Sequence, residues 1–541
     1  MENRLALALT LSLVILIGFQ VLAPRPPEPA TPATSGQAPE SAAPAPGVAP
    51  APPQTPAGAV ANDVASTPSA AAEPSDPGAV VDVSTDMFRA EFSSRGGRLR
   101  HLELAKYRAT ADAGSGPHDL VLNNGLGPLA LVWIAPSGTV VDDRSVLYDV
   151  QTTGASVAPG GTATVTMRGK TAGGASIKKT VVIHAGSYLL DYDVETEALG
   201  ETPLAVGWSR SLEEHASRRD TDGPVVFADG KIHAFNAASL KEPTVTQGQV
   251  SWAGYAEHYF LAALVPEQRQ PLKMVASLAE GAGHAMLWTM APATSLHYQL
   301  YLGPKSLQEL DKLGHDLGGA IDLGWFWFVA RPLLWALLLI ERAVGNYGIA
   351  IILLTVATRI VLYPINAKQM AAMKGMQKIQ PEIQKIQERY KDDREKLNQE
   401  MMELYRRHKV NPLAGCLPMF LQLPVFIGLY NVLLQAIEIR QAPFFGWIVD
   451  LSQPDRLGQL PIPFVTPPGI PVMTLLMGAS MILQQRMTPS TADPAQQRMM
   501  MLMPVVFTVM FVNFPAGLVL YWLSNNILSI AQQALANRSQ S

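Results

Sequence analysis

The chain of 541 residues holds a single cysteine, Cys416, so no disulfide can form within it. Cys416 stands in GCLP at the head of an apolar run, where a small buried hydrophobe is expected rather than a reactive thiol. Charge is also scarce. Asp, Glu, Lys and Arg make up 16% of the residues, against the ~25% usual for soluble domains. The shortage is sharpest in the C-terminal apolar stretches, which contain no Asp or Glu, and no histidine follows His408. Those absences argue against an intramembrane proton relay, a metal site and an intramembrane aspartyl protease. A phosphate loop is missing too. RGKT at Arg168–Thr171 has Thr164 where the first glycine of that motif belongs, and its context is strand-like. His101, His184, His215, His233, His258 and His284 are scattered, with no nucleophile at a meaningful spacing. The expectation is a protein that is not an enzyme and carries neither metal nor cofactor.

What is present is apolar sequence, 48% of the chain. Residues 1–23 hold Arg4 and a run from Leu5 to Ala23, close to the ~20 residues a spanning helix needs. A cleaved signal peptide and a retained anchor both fit such a run, and Pro24 directly after the only plausible cleavage site favours the anchor. Residues 24–80 are rich in Pro and Ala, with no Lys or Arg between Arg25 and Arg89, which predicts a disordered linker on the translocated side. Residues 81–318 change character. MFRAEF, TATVTMRG, IKKTVVIH and YLLDYDVET alternate as half-buried strands do, and paired glycines mark turns, so a large all-β sandwich domain is expected. Residues 319–345 carry Trp325, Trp327, Phe328 and Trp335 around Arg331 and Pro332. A helix lying in the membrane interface is expected there, with a true span as the alternative.

Residues 346–541 read as a core of five transmembrane helices, at about 346–364, 412–436, 471–485, 499–513 and 515–535. Two of these are short, so either the bilayer thins locally or flanking residues extend the spans. Lys and Arg concentrate in 367–409, a segment with Lys374, Lys378, Lys385, Arg389 and Arg394. That bias places this segment and both chain termini in the cytoplasm and the β-domain outside. Apolar residues recur there at helical spacing, predicting a hairpin that turns near Lys391–Arg394, bends at Pro381 and caps its second arm with Asp392. Its basic face is either a solvated positive surface or a contact for lipid headgroups, ribosomal RNA or nascent chains. Within the first core span lies Arg359, and a charge there costs roughly 2.5–3.5 kcal/mol on insertion scales, so it marks a functional position. Thr355 is one turn before it; Gln422, Gln485, Asn525 and Asn526 are the other polar candidates, and Trp522, Asn526, Ser529 and Gln533 share one helical face. An interhelical hydrogen bond is the plainer role for each single Gln or Asn.

YPINAKQM, VNPLAGCLPMFLQLPVFIGLY, RQAPFFGWIVDLS, MTPSTADPAQQRMM and NFPAGLVLYWLSNN, with SSRGGRL upstream, closely resemble the YidC/Oxa/Alb membrane protein insertase family in its Gram-negative form. The resemblance implies a bacterial inner-membrane protein with a periplasmic supersandwich and a hydrophilic groove open to the cytoplasm and lipid. It assigns Arg359, Thr355, Gln422, Gln485 and Asn526 to the groove, and Tyr521 and Trp522 to a slide for the substrate helix. It implies nascent membrane proteins, the Sec translocon and membrane lipids as partners, with the ribosome reached through the cytoplasmic loops, and no DNA. The chain stops at NRSQS without the long basic tail of some relatives, which counts against tail-mediated ribosome binding. The alternatives are a channel or small-solute transporter using Arg359 as an anion site, and a structural scaffold.

Overall fold

The computed structural model describes residues 78–112, 114–121, 126–211, 223–236, 239–240, 242–279, 282–390, 393–408, 417–487 and 494–538. The expected anchor, the linker up to residue 77 and Cys416 lie outside the described residues.

The first four strands, β1 (Val80–Ser84), β2 (Phe88–Ser93), β3 (Arg98–Arg108) and β4 (Pro117–Asp119), form an antiparallel sheet in chain order. A second sheet of 14 strands follows. Its members are β5 (Ala130–Ile134), β6 (Val140–Asp142), β7 (Tyr148–Thr152), β8 (Thr162–Lys170), β9 (Ser176–His184), β10 (Leu189–Glu197), β11 (Leu204–Ser211), β12 (Gly223–Ala228), β13 (Lys231–Ala234), β14 (Thr244–Ala256), β15 (Phe260–Pro266), β16 (Gln270–Ala279), β17 (Ala282–Thr289) and β18 (Ser295–Pro304). Their spatial order is β6-β5-β11-β17-β16-β14-β15-β18-β10-β9-β8-β7, with β12 added on β14 and β13 on β12. The RGKT stretch ends β8 and enters a turn, as its strand-like context implied.

Strand alternation decides which side chains meet between the sheets. In β9 the inward positions are Ile177, Lys179, Val181 and Ile183, so a lysine enters the core. Lys179 is fully buried, and its Nζ lies 2.5 Å from Asp143 Oδ2. It also donates to the carbonyls of Gly96 (2.9 Å), Gly97 (3.0 Å) and Leu129 (2.6 Å). Burial pushes the Lys179 amine down and the Asp143 carboxyl up, and each partner opposes the other's shift. Gly96 and Gly97 have φ of 76° and 49°, and a Cβ on Gly97 would press on the Tyr148 ring at 3.0 Å. The Gly-Gly turn therefore lets the β2–β3 hairpin offer its carbonyls to Lys179 and clamps the small sheet to the large one.

The helices are α1 (Leu307–Leu313), α2 (Trp327–Val344), α3 (Tyr347–Val361), α4 (Tyr363–Arg389), α5 (Arg394–Arg407), α6 (Leu417–Gln435), α7 (Val472–Met487), α8 (Pro494–Phe511) and α9 (Ala516–Arg538). Gly345 ends α2 in the left-handed region, and the Asn346 side chain then caps α3 by accepting from Ile349 N at 3.0 Å. The first predicted core span is broken: α3 stops at Val361, Leu362 separates the helices, and α4 begins at Tyr363 with Pro364 in its first turn. Helix α2 buries Ala330, Leu334, Leu337 and Leu338, packs against α3 and α6, and leaves Trp325, Trp327, Phe328 and Trp335 exposed around it. Among the described residues, no helix is long and apolar enough to cross a membrane. The 15 residues of α3 rise only ~22 Å at 1.5 Å per residue.

One apolar core runs from the sheets into α2, α3, α6, α7, α8 and α9. The two parts are also tied by polar contacts. His258 Nε2 lies 2.6 Å from the Leu434 carbonyl, Ser306 donates to Glu438 at 3.0 Å, and Arg331 pairs with Asp311. Arg440 donates to the carbonyls of Arg108 and Ala109, with its guanidinium 5.3 Å from the Phe260 ring centre. Helices α4 and α5 form the expected hairpin, with a separate small core of Ile379, Ile383 and Leu404. Helix α4 is closed by Tyr390 and α5 opened by Asp393, and Pro381 lies within α4. The cap of α5 is Asp393 rather than Asp392: the Asp393 side chain accepts from Lys396 N at 3.1 Å, the reach a helix N-cap requires.

Candidate functional site

Arg359 lies in the last turn of α3, two residues before its final residue, Val361. Its side chain turns towards α9. Nε donates to Asn525 Oδ1 at 2.8 Å and Nη1 to Gln532 Oε1 at 3.3 Å. Nη2 donates to the Asn525 carbonyl at 3.0 Å and to the Ser529 hydroxyl. Asn525, Ser529 and Gln532 follow one another at four and three residues, so a single face of α9 supplies every one of these acceptors. Each acceptor is neutral. Four hydrogen bonds engage the guanidinium, and its positive charge is left uncancelled by these partners.

The sequence placed the polar face of α9 on Asn526 and Gln533, and the structure turns the helix so that Asn525 and Gln532 meet Arg359. Asn526 is buried at 4% exposure and donates to the Ser480 hydroxyl of α7 at 2.9 Å. Its amide thus joins two helices and does not face an open cavity. Thr355 is also buried, at 1%, with its hydroxyl bonded back to the Ile351 carbonyl at 2.7 Å. Gln422 of α6 is half-buried and donates to Tyr521 Oη at 2.8 Å. Gln485 is half-buried near the end of α7.

The two slide residues separate. Tyr521 is buried at 2% exposure and cannot offer a surface to a passing helix. Its oxygen is held by Gln422 and its ring packs near Phe426, because the first turns of α9 are enclosed by neighbouring helices. Trp522 is half-buried, edge-on to Phe426 and Phe511 at 4.8 Å each, with Phe507 at 5.7 Å. Exposed apolar side chains lie elsewhere: Leu475 and Leu476 on α7, Val505 and Val509 on α8, and Ile527 on α9. In the hairpin, Lys378, Lys385 and Arg389 are exposed. The side chains of Lys374 and Arg394 lie outside the described residues. Arg359 was legible in sequence as a lone charge; the signal for its partners was the Asn525, Ser529, Gln532 spacing, which competes with an equally polar face one residue over.

Comparison with known proteins covers the whole chain. Residues 80–336 match the family model described as "YidC periplasmic domain" and residues 339–541 the one described as "60Kd inner membrane protein". The membrane protein insertase YidC of Geobacter metallireducens is 38% identical over 554 residues, covering 100% of this chain and 99% of that protein. That of Pelobacter propionicus is 37% identical over 558 residues, covering 99% of each. A solved structure described as an active YidC insertase with its first transmembrane domain resolved is 20% identical, covers 86% of this chain and 93% of its own, and superposes with a TM-score of 0.37.

Proposed function

The chain belongs to the YidC family of membrane protein insertases, and from that premise we propose that it moves segments of nascent membrane proteins into the bacterial inner membrane past Arg359. In this reading α3, α6, α7, α8 and α9 are the membrane-embedded core, the β-domain is periplasmic, and the α4–α5 hairpin and both termini are cytoplasmic. Helices as short as α3 require the bilayer to thin around them, which shortens the hydrocarbon path a polar segment must cross. The route is a hydrophilic groove open to the cytoplasm. No bond is made or broken.

The observation that carries the proposal is the neutral cradle of Arg359. Asn525, Ser529 and Gln532 hold it by hydrogen bonds without neutralising it, so its charge remains to attract the polar or acidic flank of a client. The client's apolar helix then leaves along the exposed faces of α7, α8 and α9, at Leu475, Val505, Val509 and Ile527. Trp522 borders that path, and Tyr521 supports it from inside. The exposed Lys378, Lys385 and Arg389 of the hairpin suit an approach to anionic headgroups or to a ribosome. The Sec translocon is a proposed partner for longer clients.

The test is insertion of a single-span client into liposomes containing the purified chain alone. A photoreactive side chain at Gln532 is expected to capture a stalled client, and one at Ser137 of the β-domain is not. Capture at Ser137 with none at Gln532 sinks the route. Insertion that needs added translocon would turn the reading to a scaffold.

A further inference from the structure

The connection from α6 to α7 ends in a compact tip, Leu457–Ile470, that the insertase reading does not use. Leu457 and Ile470 exchange backbone hydrogen bonds at 3.0 Å, and Gly469 N donates to the Leu460 carbonyl at 2.9 Å, closing a small hairpin. Arg456 clasps its base. The guanidinium has five N–H donors, and all are engaged. They meet the carbonyls of Pro467 (2.7 Å), Asp455 (2.7 Å), Val512 (3.0 Å) and Thr466 (3.0 Å), and Asn513 Oδ1 (2.8 Å). Asn513, in the turn between α8 and α9, also accepts from Thr466 N at 3.0 Å and donates to the Phe464 carbonyl at 2.9 Å. Asp455 holds the start of α7 through Met473 N at 2.7 Å and the Thr474 hydroxyl at 3.0 Å. The loop is thus fixed to the adjoining ends of three helices through the backbone of Leu457, Phe464, Thr466, Pro467 and Ile470.

What faces outward is apolar. Phe464 is 89% exposed and Leu460 54%. Phe464 also sits at φ 66°, a region bulky residues avoid, so the fold holds a strained phenylalanine in the open. No charged residue occurs from Leu457 to Gln485, and Gln459 and Thr466 are the only polar side chains between Leu457 and Ile470. A patch for another protein carries a polar rim, to which this tip contributes only Gln459 and Thr466. Absent charge beneath exposed apolar tips suits the headgroup–acyl boundary, where water still reaches the backbone groups that hydrocarbon would strand. The tip continues into the exposed Leu475 and Leu476 at the start of α7.

We propose that Leu457–Ile470 is a lipid anchor, with Phe464 and Leu460 inserted at the headgroup–acyl boundary of the outer leaflet. This rests on the membrane placement of α7 and α8 under the insertase reading. Burying the tip there fixes the depth and tilt of the α7–α8–α9 end of the bundle, because Arg456 and Asn513 bind the tip rigidly to it.

The test uses the full chain in liposomes of pure phospholipid. In a Cys416→Ser background, Phe464→Cys, Leu460→Cys, Val509→Cys and Ser137→Cys are each labelled with an environment-sensitive fluorophore. Blue-shifted emission at 464 and 460, quenched by lipids with the quencher near the headgroup, is the expected result, with neither effect at 137. If 509 is quenched while 464 and 460 report water, the anchor is wrong and the membrane reading stands. If none is quenched, the placement of α8 in the membrane fails as well. A water-like signal that becomes apolar only on adding another membrane protein would assign the tip to a protein partner and overturn the proposal.

Discussion

Arg359 Nε donates to Asn525 Oδ1 at 2.8 Å, joining α3 to α9 through a charged donor and a neutral acceptor. A charge-assisted bond of this kind contributes about 1.5–3 kcal/mol. Asn525→Ala is therefore expected to lower stability by about that amount while leaving the positive charge in place. Arg359→Lys keeps the charge and loses the fork that reaches Asn525, Ser529 and Gln532 together. If charge alone drives insertion, the lysine variant retains most activity in the liposome assay. If the clasp sets the geometry, Lys and Ala variants fail alike.

Glu257 offers a pH-dependent measurement. Its carboxylate pairs with Arg210 and lies 3.3 Å from His118 Nε2. Burial acts to raise this carboxyl, and His118 and Arg210 outweigh it, so it is held below its ordinary value of 4.5. A depressed carboxylate stabilises the fold above its unfolded-state pKa, and that contribution is lost as pH falls through the folded-state value. The melting temperature of the full chain is expected to drop below about pH 4.5, and Glu257→Gln to flatten that acid limb. At neutral pH, removing one partner of such a buried pair costs about 3–5 kcal/mol. An unchanged acid limb in the variant would refute the assignment.

Gly348 faces the Phe444 ring closely enough that an added Cβ would stand 2.0 Å from Cδ2. Gly348→Ala is expected to cost about 1–3 kcal/mol through overpacking. Phe444→Ala makes room, so the double variant should recover much of the loss, with a coupling of about 0.5–3 kcal/mol in a thermal-denaturation cycle. Additive losses would mean that the two positions do not touch.

Leu404 closes the small hairpin core with Ile379 and Ile383. Leu404→Ala removes about 2–5 kcal/mol from that core. Because this core is separate from the main one, hydrogen-exchange protection should fall in α4 and α5 and persist in α3 and α9. Equal loss in all four helices would contradict a hairpin that stabilises itself.

The β-strands were legible as alternation, and so was the hairpin, because three- and four-residue spacing from Met373 to Tyr405 defines two facing arms. The order of the large sheet was not. Neighbours such as β5 and β11 are joined by pairings distant in sequence, and alternation carries no record of which edge meets which. Lys179 was hidden for a related reason: in IKKTVVIH two lysines are adjacent, and only register puts the second among Ile177, Val181 and Ile183. Arg359 stood out because its surroundings are apolar. Its partners did not, because Asn525 and Asn526 are equal in chemistry and about 100° apart on α9, and the rotation of that helix is fixed by packing. The same packing buries Tyr521, which the family resemblance had assigned to a surface for the substrate helix.

Helix α2 packs on α3 and α6 and buries Leu334 and Leu337, while Arg331 grips Asp311 of α1 and Arg342 reaches Gln308. A slack connection would absorb any pull on the β-domain. This one is braced by an ion pair, an amide acceptor and buried leucines, so moving the β-domain against the helices means breaking those contacts first.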